Sequence, residues 1–404
     1  MRIIMLVATS LATDTRVKRE AAALVDAGHT VHIVGRSVPA DFEPSPGVTV
    51  SSVGTSSVFR GEGKGSIGAK GPAHLRFARW LLLPQHSKSS FVRWAAGALE
   101  DARGREFDAV HAHDFTALPA GDELARERSV PLVYDSHEYW RGRSRQHRPN
   151  PVQRWREARV EKELGARADA VITVGDGVAS ALREEYGWAH VTVVRNSFPL
   201  PTDPDPVLTE PTGVLYAGRL DDARDLDTVA AASRHSPLPI ELRGPADPTW
   251  LAGFDRAGLT VGEPEPVDAV TQRLQRMGIS LITLTPQWKN NLLAMPNKLF
   301  HAVHAGVPVV VSDVGEIARL TREFGLGATY TPGDAEDLER AIREVVADYA
   351  SARERVLASR TELSWRSDAE RLTSIYDRLV VGGSDSSTLG EPESTDSGRS
   401  EDDE

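Results

Sequence analysis

The sequence predicts an α/β protein made of two successive domains, each built on a doubly wound parallel sheet. Three observations lead to this prediction. The chain has 404 residues, which is enough for two domains of ordinary size. Its first half alternates apolar strand patterns with amphipathic helix patterns, as is typical of βα units. After a proline-rich stretch at residues 196–210, the same alternation starts again.

The first predicted domain, residues 1–198, opens on a continuously apolar strand, Ile3–Ala8, as expected for a strand buried on both faces. The next helix, Arg16–Ala27, ends at Gly28. The other predicted strands are Val31–Gly35, Val48–Val53, Ala109–Ala112, Val130–Tyr134, Ala170–Val174 and Val191–Val194. The other predicted helices are Leu75–Leu83, Phe91–Ala102, Ala117–Glu127, Trp155–Ala166 and Gly177–Tyr186, and residues 54–72 form a loop rich in Gly and Ser.

The second predicted domain spans residues 199–366. Because such sheets bind ligands beyond the carboxyl ends of their strands, two facing domains predict a deep cleft as the binding site. The predicted strands are Gly213–Ala217, Ile240–Arg243, Leu259–Val261, Ile279–Leu284 and Val307–Ser312. The predicted helices are Leu226–Ser233, Val267–Met277, Pro296–Ala305, Gly315–Glu323 and Ala335–Arg353, with a last helix at 367–380.

The composition is that of a globular protein, with 40% hydrophobic and 26% charged residues. No apolar run approaches the length of a transmembrane helix, and the short apolar N-terminus fits a strand better than a signal peptide. The chain has no cysteine, which excludes a disulfide framework and a thiolate metal site. We expect a cytoplasmic protein.

The net charge of −11 is unevenly distributed. Residues 382–404 contain eight acidic residues, one arginine and one large apolar residue, which predicts a disordered acidic tail. Residues 63–99 contain six Lys and Arg and no acidic residue, and residues 141–159 contain seven Arg and one Glu. Each basic stretch fits either an anionic partner or the ordinary solvated face of a loop or helix. No nucleic-acid partner is predicted.

Motifs spread over residues 1–380 follow an order known from one protein family. In the first domain they are Asp14–Val17, Gly28–Val31, Phe107–Asp114, Tyr134–Glu138, Ala170–Val174 and Val194–Asn196. In the second they are Tyr216–Leu220, Pro296–Phe300, Ala305–Val310 and Leu363–Trp365. Together these motifs resemble the family 4 retaining glycosyltransferases (group 1), whose architecture is GT-B: two Rossmann-like domains that face each other across a cleft.

The resemblance implies transfer of a sugar from a nucleoside diphosphate sugar to an acceptor hydroxyl, with retention and without a metal or other cofactor. It implies that the donor lies mainly on the second domain and that the helix at 367–380 crosses back to pack on the first. A carbohydrate or lipid-linked acceptor, as in cell-envelope polysaccharide or glycolipid synthesis, would suit this chemistry.

Two arginines follow the first strand of the second domain. Arg219 comes directly after Gly218 in the motif that resembles the donor-phosphate motif, and Arg224 stands where the family usually has Lys. Such cations hold a diphosphate and stabilise the charge of the leaving group; the alternative is a pair of surface arginines among acidic neighbours. The further donor contacts implied are Asn297, Lys298, His301, Gly315 and Glu316, the last two at a helix N-terminus.

His137 and Glu138 end a predicted strand of the first domain. The resemblance implies that His137 contacts the transferred sugar, and Glu138 is a neighbouring acid–base candidate; a hydrogen-bonded loop histidine is the alternative. The residues expected on the acceptor side are Asp14, Arg16, His113 and Asp114.

A histidine pair invites a metal hypothesis. His111 and His113 are two residues apart and therefore share one face of a strand. The sequence supplies no convincing remaining ligands, so we favour hydrogen-bonded histidines and predict no metal site.

The donor helix departs from the family at two positions. Where the family typically has two glutamates, this chain has Leu293 and His301. The departure keeps two alternatives open beside the transferase. One is a non-catalytic, transferase-like binding subunit. The other is a nucleotide-sugar epimerase of the same fold, for which Glu138 is the nearest candidate carboxylate.

The segment Arg76–Leu83 mixes arginine with large apolar side chains, and Lys64 and Lys70 precede it. Such a segment either lies on an anionic membrane surface or packs as an ordinary helix on the first domain. The membrane hypothesis predicts that the protein co-sediments at low salt with anionic vesicles but not with neutral ones. Failure to sediment with either kind of vesicle would remove it.

Overall fold

The computed structural model describes residues 1–12, 14–54, 91–143, 151–203, 206 and 209–385, with the backbone alone at 151–153 and 382–385. The predicted helix Leu75–Leu83, the loop predicted after residue 54 and residues 386–404 of the predicted acidic tail lie outside these ranges. The basic stretch 63–99 is described only from residue 91 onward.

The first half of the chain forms a seven-stranded parallel sheet. Its strands are β1 (Arg2–Val7), β2 (Thr30–Arg36), β3 (Val48–Val53), β4 (Ala109–His113), β5 (Leu132–Ser136), β6 (Ala170–Thr173) and β7 (Val191–Val193). Their order across the sheet is β3-β2-β1-β4-β5-β6-β7. The apolar β1 lies between two strands, with Ile3 opposite Val31 on one side and Ala109 on the other.

Helices cover both faces of this sheet. They are α1 (Thr15–Asp26), α2 (91–103), α3 (Asp114–Arg128), α4 (Pro151–Gly165) and α5 (Asp176–Tyr186), with a 3₁₀ turn at Trp140–Gly142. Helices α2 to α5 share one apolar cluster, and α1 packs on the opposite face. Asp14 begins α1 by accepting the backbone N–H of Val17, and Gly28 adopts a positive φ of 87° in the turn to β2.

The second half forms a six-stranded parallel sheet. Its strands are β8 (Gly213–Ala217), β9 (Ile240–Arg243), β10 (Thr260–Gly262), β11 (Gly278–Ile282), β12 (Val309–Ser312) and β13 (Gly327–Tyr330), ordered β10-β9-β8-β11-β12-β13. The helices are α6 (Leu226–Ser233), α7 (Pro248–Gly253), α8 (Val267–Met277), α9 (Lys289–Leu293), α10 (Asn297–Ala305), α11 (Gly315–Glu323), α12 (Ala335–Ala347) and α13 (Tyr349–Ser359), with a 3₁₀ turn at Asp222–Arg224.

Both sheets reverse their winding direction at one point, between β1 and β4 in the first and between β8 and β11 in the second. Ligands of doubly wound sheets bind at this switch point, beyond the carboxyl ends of the strands. The predicted fold class, two Rossmann-like domains in the GT-B arrangement, is confirmed. The predicted boundary at residues 198 and 199 falls between β7 and β8.

Several features of the second domain differ from the sequence prediction. The short helices α7 and α9 were not predicted. The edge strand β13 was not predicted, because it is only four residues long and starts at a glycine; a Cβ on Gly327 would lie 1.9 Å from the carbonyl oxygen of Val309. The single helix predicted at Ala335–Arg353 is two helices, broken at Asp348. The break lets Ile342 and Val356 pack on opposite faces of the sheet.

The last helix, α14 (Trp365–Asp385), crosses back onto the first domain, as the resemblance implies. Leu372, Ile375 and Tyr376 are fully buried in the cluster that α1 and the first sheet form. The hydroxyl of Tyr376 lies 2.8 Å from Nδ1 of His111 on β4. Within the described ranges, no helix is both long and apolar enough to cross a membrane.

The chain passes between the domains twice at one place. Phe198 leaves the first domain and pairs with Ser364 in a short parallel bridge, and the backbone N–H of Trp365 donates to the carbonyl of Phe198 at 2.7 Å. The guanidinium of Arg19 lies over the rings of Phe198 and Trp365. We refer to Phe198, Ser364 and Trp365 as the hinge.

The docking of α14 is testable by truncating one buried side chain. Leu372→Ala is expected to lower the free energy of unfolding by about 2–5 kcal/mol, because the site is fully buried. Urea denaturation measures the change. The control Val381→Ala, at a position 62% exposed on the same helix, should change it by less than about 0.5 kcal/mol. Equal stability of the two variants would contradict the packing.

Candidate active site

A cavity of about 340 Å³ lies between the carboxyl edges of the two sheets. Both domains contribute to its wall. The first domain supplies Thr9, Asp14, Thr15, Arg16, His137, Val174 and Asn196, and the second supplies Met295 and Asn297. Because doubly wound folds bind ligands at this edge, the cavity is the candidate active site.

Arg16 borders the cavity although its side chain is almost completely buried. Its Nε and Nη2 donate to the two carboxylate oxygens of Asp135 at 2.8 and 2.7 Å. Its Nη1 donates to the carbonyl of Val194 at 2.7 Å. Burial disfavours the charged guanidinium, but Asp135 and Glu20 outweigh that effect and raise the pKa of Arg16. Arg16 is therefore a fixed cation that joins α1 to the ends of β5 and β7.

Asp135 is shared between Arg16 and two histidines. Nδ1 of His113 lies 3.2 Å from its Oδ2, and Nε2 of His137 lies 2.8 Å from the same oxygen. Burial alone would raise the pKa of Asp135, but Arg16 and the histidines hold it well below its usual range. The carboxylate is ionised, and with these partners around it, it is not free to act as a nucleophile or base.

His137 has a second carboxylate partner. Its Nδ1 lies 3.4 Å from Oδ2 of Asp114, and its backbone N–H donates to Oδ1 of Asp114 at 3.3 Å. Burial lowers the pKa of His137, but Asp114 and Asp135 outweigh burial and raise it to about 10. His137 is therefore an imidazolium at neutral pH, which presents positive charge to the cavity and cannot serve as a general base.

Asp14 orders the loop between β1 and α1. Its carboxylate accepts the backbone N–H of Val17 at 3.3 Å and the hydroxyl of Thr9 at 3.0 Å. The structure thus brings the residues expected on the acceptor side into one region: Asp14 and Arg16 line the cavity, and His113 and Asp114 hold the buried network behind it. Their contact with an acceptor stays a prediction.

Glu138 links the two domains. Its Oε1 lies 3.0 Å from Nε of Arg143, and its Oε2 accepts the side-chain amide of Asn290 on α9 at 3.2 Å. The backbone N–H of Tyr139 donates to the side-chain carbonyl oxygen of Asn290 at 3.1 Å. Burial raises the pKa of Glu138, against the opposing charge of Arg143. The carboxylate therefore holds α9 against the first domain, and its predicted acid–base role stays a prediction.

The donor-side arginines follow β8 at the switch point of the second sheet. Asp221 lies 4.0 Å from Nε of Arg219 and 3.6 Å from Nε of Arg224. The carbonyl of Arg224 accepts the hydroxyl of Thr283, which follows β11. Arg219 is two-thirds exposed, and Arg224 is about one-third exposed. Both guanidinium groups are thus positioned at the edge where a ligand binds.

The side chain of Lys298 packs against Gly218. The ammonium of Lys298 lies 3.8 Å from the centre of the Tyr216 ring. A Cβ on Gly218 would stand 2.3 Å from the Nζ of Lys298, so a larger residue would displace the ammonium. The structure therefore brings Lys298 beside the predicted phosphate motif.

The N-terminus of α10 borders the cavity through Asn297. Pro296 precedes the helix and offers no side-chain cap. The amides of the first turn and the positive end of the helix dipole therefore suit an anion at this end of α10.

His301 is not among the residues that line the cavity. Its Nε2 lies 2.7 Å from the hydroxyl of Thr271, and its ring stacks on Phe198 of the hinge at 4.6 Å. Burial, helped by His304, lowers the pKa of His301 to about 4, so the ring is neutral. The ring packs at the hinge in this structure, and its predicted contact with the donor stays a prediction.

Gly315 and Glu316 lie where the domains touch. Gly315 has a positive φ of 47°, and a Cβ there would stand 1.8 Å from the carbonyl oxygen of Leu292. Glu316 lies against Gly177 of the first domain and pairs with Arg319 at 3.0 Å, and Arg319 reaches Asp176 at 3.2 Å. Glu316 therefore lies between the domains, whereas Gly315 packs against α9 of its own domain; the predicted donor contacts of both stay predictions.

Leu293 stands at one of the two positions where the resembling family has glutamate. Its side chain packs against the apolar cluster of the first domain. Lys289, also on α9, lies over the ring of Tyr139 at 4.7 Å. The sequence did not reveal that α9 contacts the first domain, because a five-residue helix carries too little periodicity to show which surface it meets.

A buried cluster has the composition of a metal site. Ligand-type atoms of Glu20, His111, His113 and Asp135 lie within 4.8 Å of one another. However, Nη2 of Arg16 lies 2.9 Å from Glu20 and 2.7 Å from Asp135, so a protein cation already bridges the two carboxylates. Burial raises the pKa of Glu20 to about 8, against the opposing charge of Arg16. The cluster fits an internal ion network, and the absence of a metal requirement stays a prediction.

Sequence analysis missed Glu20 and Asp135 as members of this network. A signal for Glu20 was available, because it follows Arg16 by four residues on a helix face shared with Val17 and Leu24, which are fully buried. Charged residues on an apolar face are rarely buried without a partner.

Two doubly wound parallel sheets that face each other across a cleft, joined by a returning last helix, define the GT-B fold of glycosyltransferases. Residues 12–197 match the model of the family described as Glycosyl transferase 4-like domain. Residues 12–197 therefore match a GT4-like domain, which confirms the resemblance seen in the motifs.

Relatives and solved structures agree with this assignment. Over 288 residues the chain is 26% identical to a glycogen synthase of Mycobacterium tuberculosis, across 67% of this chain and 68% of that protein. Sucrose-phosphate synthase from Thermosynechococcus elongatus superposes with a TM-score of 0.68 at 18% identity. Anabaena HepE, solved in complex with UDP-glucose, superposes with a TM-score of 0.61 at 15% identity. Each superposition covers 95% of this chain and 100% of the other.

The charge of His137 is testable through the pH dependence of stability. Because its pKa is raised on folding, the stabilisation is complete below about pH 6.5 and disappears as the pH rises through about 10. His137→Gln should therefore cost about 2 kcal/mol or more at pH 6 and much less at pH 10. Urea denaturation at both values measures this, with the exposed His235→Gln as control. A cost independent of pH would show that the ring is neutral.

Proposed function

We propose that the protein transfers a sugar from a nucleoside diphosphate sugar to an acceptor hydroxyl, with retention and without a metal ion. One observation carries the proposal. Arg219, Arg224 and Lys298 lie near the N-terminus of α10 at the ligand-binding edge of the second sheet, beside the interdomain cavity.

These groups match the chemistry of a diphosphate leaving group. Negative charge builds up on the phosphate oxygens as the bond to the sugar breaks, and guanidinium groups bind such oxygens with strong charge-assisted hydrogen bonds. Asp221 lies within ion-pair distance of both Arg219 and Arg224. Together with Lys298 and the α10 N-terminus, the arginines would supply the positive charge that a metal ion supplies elsewhere.

The first domain supports a reaction without an enzyme nucleophile. Among the residues that line the cavity, the one carboxylate is Asp14, which caps α1. Asp135 behind it is bound to Arg16 and the histidines. The departing diphosphate would accept the proton of the acceptor hydroxyl on the face it leaves, which leads to retention. His137, as an imidazolium held by Asp135 and Asp114, would stabilise negative charge there.

For the acceptor we propose a carbohydrate or lipid-linked sugar used in cell-envelope synthesis at the cytoplasmic face of the membrane. Helix α4 supports this proposal, because it exposes Trp155 beside Arg154, Arg156 and Arg159. An aromatic ring among arginines suits an anionic lipid surface. Since Anabaena HepE was solved with UDP-glucose, a uridine nucleotide is the first donor to test.

A non-catalytic binding subunit is the second candidate. The packing of Leu293 on the first domain and of His301 on the hinge favours it, because neither side chain offers a carboxylate to a donor. Nucleotide binding without release of sugar from any donor, in the presence of glycan and lipid-linked acceptors, would support this candidate.

Calorimetry with UDP, ADP and GDP tests the phosphate site. Arg219→Ala and Arg224→Ala should each lower the affinity for the best-binding nucleotide about tenfold or more, because each removes a charge-assisted contact. Arg234→Ala, which removes an exposed arginine elsewhere in the second domain, should leave the affinity unchanged. Unchanged affinity in both site variants would refute the assigned residues, and no binding of any nucleotide to the unmodified protein would refute the transferase.

A further inference from the structure

The ammonium of Lys298, a half-buried residue, has an aromatic ring as its close neighbour. Its Nζ packs on the face of the fully buried Tyr216 ring at 3.8 Å. Among the residues that the structure describes, no carboxylate lies within ion-pair distance of it; the nearest acidic influence is Asp221, which already neighbours Arg219 and Arg224. A cation that is partly withdrawn from water without a counter-charge is unfavourable, so the position favours an anionic ligand.

The absence of a side chain at Gly218 leaves space for the ammonium of Lys298. A Cβ on Gly218 would stand 2.3 Å from Nζ and 2.4 Å from Cε of Lys298. The lysine therefore occupies the space where a side chain at 218 would lie, directly before Arg219. The hydroxyl of Tyr216 donates to the carbonyl of Arg219 at 2.8 Å, which fixes the end of β8 around it.

The surrounding groups set the pKa of Lys298 near neutral pH. Burial is the largest influence and lowers the pKa of Lys298; the charge of Arg224 lowers it further, and Asp221 opposes both. The result is about 7, so the amine is partly neutral near physiological pH. Tyr216, the remaining titratable neighbour, has a pKa raised by burial to about 12 and is uncharged.

We propose that Lys298 binds a phosphate oxygen of the donor and becomes fully protonated from solvent as the diphosphate binds. The inference rests on the proposed function. A diphosphate is the anion that completes this site, because it brings several negative oxygens to a place where Arg219, Arg224 and Lys298 lie together without enough counter-charge. Without nucleotide, part of the Lys298 population would be neutral; with the diphosphate bound, Lys298 would be fully charged.

The consequence is a proton uptake that calorimetry measures directly. The tightest binder among UDP, ADP and GDP is titrated at pH 7.5 in Tris, HEPES and PIPES, whose ionisation enthalpies differ. The unmodified protein is expected to take up about 0.7 proton more than Lys298→Arg, whose guanidinium is always charged. Above pH 7 its affinity should fall by up to tenfold per pH unit, whereas that of Lys298→Arg should stay nearly constant.

A second variant keeps the proposal open to refutation. Lys298→Met should bind the nucleotide about tenfold or more weakly and show no added proton uptake. Circular dichroism checks that each variant is folded, and Arg234→Ala serves as the matched surface control. Equal proton uptake by the unmodified protein and Lys298→Arg, or full affinity in Lys298→Met, would overturn the role of Lys298 alone. Failure of the unmodified protein to bind any of the three nucleotides would overturn the proposed function as well.

Discussion

The guanidinium of Arg16 is the interaction on which the arrangement of the first domain depends. It bridges Asp135 and Glu20 and binds the carbonyl of Val194, so it joins α1, β5 and the end of β7 in one buried network. Removal of one partner from such a network leaves buried charge without compensation, which is far more costly than the loss of a surface pair. The position of His137, and with it the shape of the cavity wall, follows from this network.

The two sides of the cleft differ in how their charges are balanced. On the first domain, Arg16 and the imidazolium of His137 are matched by Asp135 and Asp114. On the second, three cations share mainly Asp221. The charge on the second domain is therefore less balanced, which favours an anionic ligand there. This division agrees with a donor held by its diphosphate and a sugar that reaches across the cleft toward His137.

Much of the fold followed from local pattern, because buried parallel strands and amphipathic helices differ clearly in period. Strand β13 and the break between α12 and α13 could not be predicted from local pattern. A short edge strand and a change of packing face depend on tertiary contacts. The same holds for the site. Arg219 and Arg224 were predicted from the motif resemblance and their place after a strand, and their role stays a prediction. The stacking of His301 on Phe198 was not predictable, because it joins segments far apart in sequence. The packing of Leu293 on the first domain likewise depends on how the two domains meet.

The central claim is that the cations of the chain itself hold the donor diphosphate. The most direct measurement is the dissociation constant of the best-binding nucleoside diphosphate, determined by calorimetry in EDTA and again in excess Mg²⁺. Because Arg219, Arg224, Lys298 and the α10 N-terminus supply the positive charge, we expect the two constants to agree within about threefold. Binding that appears only when Mg²⁺ is present would contradict this account.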